Sequence, residues 1–155
     1  YLKDADDARL GELVRPFLEA DGCDLAQGPQ PAVVAALLKG RVNTIEELAD
    51  AAVYFYRPLE PAPELKAQHY TADVRPAIED LRRRLAGVDW ERGKINDTLK
   101  AVVADHKLKL PKIAMPLRVM LTGETQTPSI DATLEVIGRA EVLARLDRQL
   151  QAFPA

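Results

Sequence analysis

Arg118 and Thr122 are the residues whose types and spacing most clearly suggest a chemical role. Because they are four positions apart, a helix would place both on one polar face, opposite an apolar stripe of Leu117, Met120 and Leu121. A guanidinium and a hydroxyl side by side can hydrogen-bond to a ligand. The pair therefore predicts a recognition surface.

The neighbouring residues suggest where this helix begins and ends. Pro116 fits the first helical position, where the missing N–H of proline costs no hydrogen bond. Gly123 favours an end, since glycine accepts the left-handed backbone that closes many helices. Residues 124–128 have almost no apolar content, and Pro128 biases Thr127 towards an extended backbone. We therefore expect a short helix followed by a polar, stiffened loop.

A simpler interpretation makes Arg118 a solvated cation on one helix of an ordinary bundle. Charged faces of helices are usually just hydrated, so spacing alone favours this simpler interpretation. Residue types and spacing by themselves leave both interpretations open.

Residues that could catalyse a reaction or bind a metal do not cluster in the sequence. His69 and His106 are far apart, and neither has a second histidine or cysteine three or four residues further on. Cys23 has no evident base or orienting partner. The paired acids at 6–7 and 46–47 fall at expected helix starts, where the helix dipole favours carboxylates. We therefore predict no catalytic residue, no metal ligand and no cofactor in this chain.

Length and composition are those of one or two small globular domains. The chain has 155 residues, of which 47% are hydrophobic, and it opens on Tyr1, so we expect a fragment of a longer protein. No apolar run approaches the roughly 20 residues needed to cross a bilayer, and there is no secretory leader. A single cysteine, Cys23, cannot form an internal disulfide. These features predict a cytoplasmic location without membrane contact.

The charge of the chain argues against indiscriminate binding of polyanions. The formal net charge is −3, whereas such binders use many lysines and arginines to displace counterions. Acidic side chains crowd the start of the sequence and basic ones the second half, including Arg82 to Arg84. RNA binding remains possible, because the distribution of charge decides it rather than the sum.

Helical periodicity runs through the sequence, and strand signals are nearly absent. An opening helix is indicated by apolar residues at i, i+3, i+4, i+7 and i+8, namely Leu10, Leu13, Val14, Phe17 and Leu18. Pro31 begins a second helix, and Asn43 is a good N-cap for a third, with Glu46 at the capping-box position. The stripe Val74, Ile78, Leu81 and Leu85 marks a longer one. We therefore predict an all-α fold.

A proline-rich stretch divides this helical pattern into two small bundles in tandem. Pro58, Pro61 and Pro63 follow the aromatic cluster 54–56 and lack the donors to continue a helix. The cluster could stack on nucleobases, but we interpret it as packing at a helix end. We place the first subdomain at 1–60 and the second at 61–155.

The segment around Arg118 resembles the C-terminal end of bacterial glutamyl-tRNA synthetases. The shared features are Pro-Leu-Arg-x-x-Leu-Thr-Gly at 116–123, Thr-x-x-Pro at 125–128, and a helix ending Val-Ile-Gly at 136–138. A basic amphipathic helix follows over 139–146, as in that family. Weaker support comes from 15–18 and 41–48. The resemblance covers essentially the whole chain and is loosest from Pro61 to Lys109.

The resemblance implies two all-helical anticodon-binding subdomains of the class I synthetase type. Chemistry would belong to an absent N-terminal catalytic half of a glutamate–tRNA ligase, which binds ATP and magnesium. This fragment would read the anticodon loop of tRNA(Glu), with no contact to DNA or membrane, and the parent enzyme would be a cytoplasmic monomer. The alternative from a different class is a helical protein-interaction module that does not bind nucleic acid, which would expose a contiguous apolar patch.

The same resemblance implies the binding residues. Arg41 occupies the position that faces the third anticodon base, and Arg118 and Thr127 would hold splayed bases. Pro128 belongs to the same loop, and Ile130 would pack against an unstacked base. Asp131 stands where some members carry an aromatic residue, and Ser129 replaces a frequent glycine. An arginine at position 41 also suggests a ligase that discriminates against tRNA(Gln), unless Arg41 merely caps the preceding helix.

Overall fold

The computed structural model describes residues 4–154. The regular secondary structure in that range is helical and includes no β-strand, as predicted. The contacts divide the chain into two compact units, unit 1 (Tyr1–Pro58) and unit 2 (Leu59–Ala155). No helix within 4–154 combines the length and apolar character needed to cross a membrane. The elements are α1 (Asp7–Ala20), α2 (Pro31–Leu38), α3 (Ile45–Ala52), α4 (Pro63–His69), α5 (Arg75–Leu85), α6 (Arg92–Asp105), α7 (Leu110–Thr122), α8 (Ile130–Ile137) and α9 (Arg139–Leu150), with short 3-10 turns at Lys39–Arg41 and Val53–Phe55.

Unit 1 is built on α1, which packs against both α2 and α3. Gly11 lets the two backbones of α1 and α2 approach, because a Cβ there would lie 2.7 Å from the backbone nitrogen of Ala32. The predicted apolar face of α1 is too wide. Its core positions are Leu10, Val14 and Leu18, whereas Leu13 and Phe17 are 43% and 39% exposed, since the two partner helices cover only one stripe.

The third helix begins one residue later than the sequence suggested. Thr44, not Asn43, is its N-cap, and the Thr44 hydroxyl accepts a 3.1 Å hydrogen bond from the Glu47 N–H. Glu47, not Glu46, reaches back to the N–H of Asn43 at 3.2 Å. Asn43 and Thr44 both fit the N-cap pattern in the sequence. In the structure the helix starts after Thr44, and this start places Leu48 in the core.

The aromatic cluster at the end of unit 1 is packing, as predicted. Tyr54 and Phe55 are 4% and 2% exposed, and their ring centroids are 4.5 Å apart. Neither ring face is therefore available to stack on a base. After Tyr56 no residue is helical until Pro63.

Unit 2 forms its core from five longer helices, with α5 against α6 and α9, α8 against α6, and α7 against α9. The predicted stripe of α5 is confirmed, since its four apolar residues, Val74, Ile78, Leu81 and Leu85, are at most 1% exposed. The short α4 packs on α7. Buried side chains from α6, α7 and α9 complete the core, among them Ile95, Leu99, Ile113, Leu117 and Leu146.

Helix α7 is longer than expected and starts before Pro116, its predicted first residue. It begins at Leu110, so Pro111 occupies the first turn and Pro116 lies in the interior. Both prolines satisfy the same local rule, and burial of Ile113 and Ala114 against the rest of unit 2 favours the longer helix. The predicted end is confirmed, because Gly123 has a left-handed φ of 74°.

Candidate functional site

An open cleft of about 380 Å³ lies in unit 2 between α6, α7 and the start of α8. Its lining includes Asn96 from α6, Met115 and Arg118 from α7, and Ile130 and Asp131 from α8. We call this the α7–α8 cleft. It therefore contains two of the predicted binding residues, Arg118 and Ile130.

Thr127 holds Arg118 in place without adding a donor of its own. The Nε of Arg118 donates to the Thr127 Oγ1 at 2.9 Å, and the Thr127 hydroxyl donates to the Pro128 carbonyl at 2.8 Å. Thr127 is only 8% exposed, so its single hydrogen is committed inside the protein. The loop thus fixes the guanidinium at one edge.

The remaining edge of Arg118 is available to a ligand. Within residues 4–154 neither terminal nitrogen of Arg118 has a hydrogen-bond or ion-pair partner. The side chain is partly exposed and lines the α7–α8 cleft. A planar cation with free donors in an open cleft can bind the acceptor edge of a nucleobase or a phosphate.

Thr122 is not part of this surface, contrary to the prediction from its spacing. It is fully buried, and its hydroxyl donates to the Arg118 carbonyl at 2.7 Å and accepts from the Glu124 N–H at 3.0 Å. Thr122 lies on the same face of α7 as Arg118, but this face is buried in the core at the C-terminal end of the helix. Its hydroxyl stabilises the turn after the helix instead.

The apolar side of the cleft comes from Ile130, which is 6% exposed, together with the partly exposed Met115. Pro128 is buried and orders the loop through its carbonyl, which accepts from Thr127. Ile130 therefore presents little surface to a ligand. A contact between Ile130 and a base stays a prediction.

The end of α7 is held by a buried arginine whose position the sequence did not reveal. Arg145 is 0% exposed, and its Nη1 donates to the Leu121 carbonyl at 2.7 Å while its Nε pairs with Glu141 at 2.9 Å. Burial lowers the pKa of Arg145 from its ordinary value. The helix that carries Arg118 is thus anchored at its C-terminal turn.

Arg41 lies in unit 1, at the end of the 3-10 turn that precedes the Thr44 cap. Its side chain is exposed and makes no hydrogen bond or ion pair with any residue that the structure describes. In particular, it does not cap the carbonyls of α2. The guanidinium is therefore accessible to a ligand.

A comparison with known proteins identifies the family of the chain. The family described as "Anticodon binding domain" matches residues 9–150. The chain belongs to this family. The predicted resemblance and the all-α fold class are therefore confirmed.

Curated relatives of this anticodon-binding family member are glutamate–tRNA ligases. The chain is 60% identical to the one from Nitrosospira multiformis, over 99% of this chain and 33% of that protein. It is 59% identical to the one from Thiobacillus denitrificans, over 94% and 31%. A solved glutamate tRNA ligase from Elizabethkingia meningosepticum has the same fold, with a TM-score of 0.89 and 17% identity over 99% of this chain and 31% of that one. The chain thus spans about a third of the length of these relatives.

Most basic side chains near α5 are neutralised within unit 2. Arg82 forms a two-bonded pair with Asp147 at 2.8 and 2.9 Å, which raises the pKa of Arg82. Arg84 bonds Asp80 at 2.9 Å and Asp105 at 2.6 Å, and Arg83 also pairs with Asp80. The arginine run is therefore held in ion pairs within unit 2.

Other reactive groups in the described residues have structural surroundings. Burial raises the pKa of the Cys23 thiol, which disfavours the nucleophilic thiolate. No group of three or more His, Cys, Asp and Glu side chains within 4–154 could hold a metal ion. Large apolar side chains exposed in the same range are Leu13, Phe17 and Val33, on α1 and α2. The family match does not favour the alternative of a protein-interaction module.

Proposed function

We propose that this chain is the anticodon-recognition module of a glutamate–tRNA ligase. One observation carries the proposal: within the matched family segment, Thr127 fixes Arg118 in an open cleft while both terminal nitrogens of Arg118 have no partner in the described chain. Sequence-specific RNA binding targets unpaired loops, whose base edges accept such hydrogen bonds. An anticodon loop presents such bases.

In this proposal units 1 and 2 are the two anticodon-binding subdomains, and the rest of the ligase carries out the chemistry. That part would bind ATP and magnesium and attach glutamate to tRNA(Glu). This chain would orient the tRNA for that reaction. We assign the ligase to the cytoplasm as a monomer.

Arg41 is the proposed determinant against tRNA(Gln). Glutamate codons begin with G and glutamine codons with C, so the third anticodon bases are C and G. The Watson–Crick edge of C offers two acceptors, whereas that of G offers two adjacent donors. An arginine has only donors and cannot satisfy G. The guanidinium of Arg41 is exposed and has no hydrogen-bond or ion-pair partner among residues 4–154, which supports this role.

A titration with anticodon stem-loops tests the proposal. Loss of the Arg118 side chain in Arg118→Ala should weaken binding to the anticodon stem-loop of tRNA(Glu) by about 1–3 kcal/mol, the scale of one good base contact. The loss should shrink on a scrambled loop of the same length. Titrations at two salt concentrations separate base contacts from phosphate contacts, because phosphate contacts steepen the dependence of binding on salt.

A matched control is available on α9. Arg148 is exposed and lies outside the α7–α8 cleft, so Arg148→Ala removes the same charge without touching the cleft. We expect that variant to bind both loops nearly as the parent does. Equal weakening of both loops by Arg118→Ala would mean that Arg118 contacts only phosphate, and no weakening at all would refute the proposed site.

A further inference from the structure

Two lysines in the turn from α6 to α7 differ from the arginines of α5, because no described residue neutralises them. Lys107 and Lys109 are exposed, and among residues 4–154 neither ammonium group has an ion-pair or hydrogen-bond partner. Asp105, the acidic residue nearest to Lys107 in the sequence, pairs instead with Arg84 at 2.6 Å. We call Lys107 and Lys109 the lysine pair. The pair is therefore an uncompensated cationic surface.

The lysine pair borders the α7–α8 cleft. Lys109 directly precedes Leu110, which is the first residue of α7 and lines the cleft. Lys107 is three residues before Leu110, and three residues span at most about 11 Å of chain. An RNA strand with a base in the cleft would therefore have its phosphates close to these two lysines.

Lys107 has a backbone conformation that is unfavourable for lysine. Its φ is 56°, and every other residue with a positive φ within 4–154 is a glycine. The residue ends α6 in a Schellman motif. The Leu108 N–H donates to the Val103 carbonyl at 2.8 Å, and the Lys107 N–H donates to the Ala104 carbonyl at 3.2 Å. Glycine is the usual residue at this position, because a Cβ destabilises the left-handed backbone. Local stability therefore does not explain a lysine here.

Lys109 is likewise a poor residue for its position. It is the N-cap of α7, where Asp, Asn, Ser or Thr would accept a hydrogen bond from the backbone. A lysine side chain has no acceptor, and Lys109 makes no capping hydrogen bond. Local rules are broken most often at functional sites, where another requirement outweighs them. Both lysines break such a rule, and both place a free cation beside the cleft.

We propose that Lys107 and Lys109 bind phosphates of the tRNA backbone beside the anticodon, irrespective of base identity. The ammonium group of lysine is a compact charge with rotatable donors, which suits a phosphate in more than one orientation. Phosphate contacts fix the register of a nucleic acid, whereas base contacts select its sequence. The lysine pair thus positions the loop from which Arg118 selects a base. This inference rests on the proposed function, because it takes the ligand to be tRNA.

Two substitutions remove these charges while they favour the fold. Lys107→Gly introduces the residue that the left-handed position prefers, and Lys109→Ser introduces a capping hydroxyl at the start of α7. We therefore expect each variant to have a midpoint of thermal unfolding at least as high as that of the parent. A loss of binding in these variants is then not a loss of folding. Lys107→Arg keeps the charge at the same backbone position, and we expect it to bind like the parent.

The experiment measures dissociation constants of the full-length ligase for tRNA(Glu), and for the same tRNA with a scrambled anticodon loop, at several salt concentrations. Each neutral variant should lower the slope of the log association constant against log salt concentration by about 0.7–0.9, the value for one phosphate contact. Between 1 M and 0.1 M salt this slope amounts to roughly five- to eightfold weaker binding. The factor should be the same for both tRNAs, and the double variant should show about twice the change in slope.

Two further variants provide the control and the test of the proposed function. Arg148→Ala removes one positive charge from an exposed residue on α9 that does not line the cleft, and we expect the slope of the parent. Arg118→Ala removes the cation in the cleft, and we expect a greater loss for tRNA(Glu) than for the scrambled loop. The lysine variants and Arg118→Ala therefore differ in their dependence on sequence.

The outcomes separate the two claims. A lowered slope in Lys107→Gly and Lys109→Ser, equal for both tRNAs and absent from Lys107→Arg and Arg148→Ala, supports the inference. An unchanged slope overturns it, and so does a loss confined to tRNA(Glu) or an equal loss in either control, while weaker binding of tRNA(Glu) by Arg118→Ala leaves the proposed function standing. If Arg118→Ala binds like the parent and the lysine variants lower the slope, the base-binding site fails and the phosphate contacts stand. If the parent ligase binds neither tRNA, both claims fail.

Discussion

Replacement of Thr127 by valine separates the two roles that this threonine could have, contact with RNA and support of Arg118. The Thr127 hydroxyl accepts from Arg118 Nε at 2.9 Å and donates to the Pro128 carbonyl at 2.8 Å, so it has no hydrogen left for a base. Valine keeps the β-branched shape and the extended backbone before proline. Only the hydroxyl, and with it the anchor of Arg118, is lost.

The size of the effect follows from these two bonds. Loss of a buried hydroxyl with two hydrogen bonds should lower the free energy of unfolding by about 1–2 kcal/mol. For RNA binding, Arg118 would have to be immobilised during association instead of before it. That ordering costs about 0.5–1.5 kcal/mol for a long side chain, which corresponds to roughly 2- to 13-fold in Kd.

A double-mutant cycle measures the dependence of one residue on the other. The dissociation constant of the glutamate anticodon stem-loop is measured for the parent, Thr127→Val, Arg118→Ala and the double variant, and urea denaturation gives the stability of each. Thr98→Val serves as the control, because within the described part of the chain that hydroxyl donates only to the Lys94 carbonyl of α6. We expect the control to bind like the parent.

Once Arg118 is absent, the loss of Thr127 should no longer matter to RNA. We therefore expect Thr127→Val to weaken binding in the parent and to have almost no further effect in Arg118→Ala, a coupling of about 1 kcal/mol. Additive losses in the two backgrounds would contradict this reasoning, because Thr127 would then contact RNA independently of Arg118.

Two further predictions concern Arg41 and Asp80. Arg41→Gln in the full-length ligase should reduce the preference for tRNA(Glu) over tRNA(Gln) by about one to two powers of ten. The reason is that glutamine can pair with either third anticodon base, whereas an unpaired polar group costs roughly 1–3 kcal/mol. The measurement is the ratio of charging rates for the two tRNAs, and an unchanged ratio would make Arg41 a structural residue. Asp80→Asn should lower the free energy of unfolding at pH 7 by about 1–3 kcal/mol, because it breaks the pairs of this carboxylate with His106 and Arg84. The pKa of Asp80 is lowered below its ordinary 3.8, mainly by the hydrogen bond from His106 and to a smaller extent by those from Arg84. The stabilisation by this carboxylate is therefore present above about pH 4 and is lost as the pH falls through the lowered pKa. The difference in the free energy of unfolding between the parent and Asp80→Asn, measured by urea denaturation, should therefore be smaller at pH 3 than at pH 7. An equal difference at both pH values would contradict this role of the ionised carboxylate.

Local patterns in the sequence were sufficient for features that depend on the chain's own neighbours. Helical periodicity predicted the α5 stripe, and Pro31 and Gly123 mark a start and an end that the structure confirms. These succeed because proline and glycine restrict the backbone directly, and because a 3.6-residue period indicates which side of a helix is buried. The family resemblance rests on ordered motifs and was equally accessible without coordinates.

Tertiary packing decided what local rules left ambiguous. Pro111 and Pro116 both fit a first helical turn, and burial against neighbouring helices selected the earlier one. In the same way, the spacing that joined Thr122 to Arg118 could not show that α7 enters the core between them.

The composition of the candidate site likewise depends on the fold. Asn96 lies more than twenty residues before Arg118, in the stretch where the family resemblance is loosest, and only the packing of α6 beside α7 and α8 brings it to the cleft. Asp131 was visible in the sequence as a departure from an aromatic position. That it shares a cleft with Arg118 is a consequence of where two helices meet, which the order of residues along the chain does not specify.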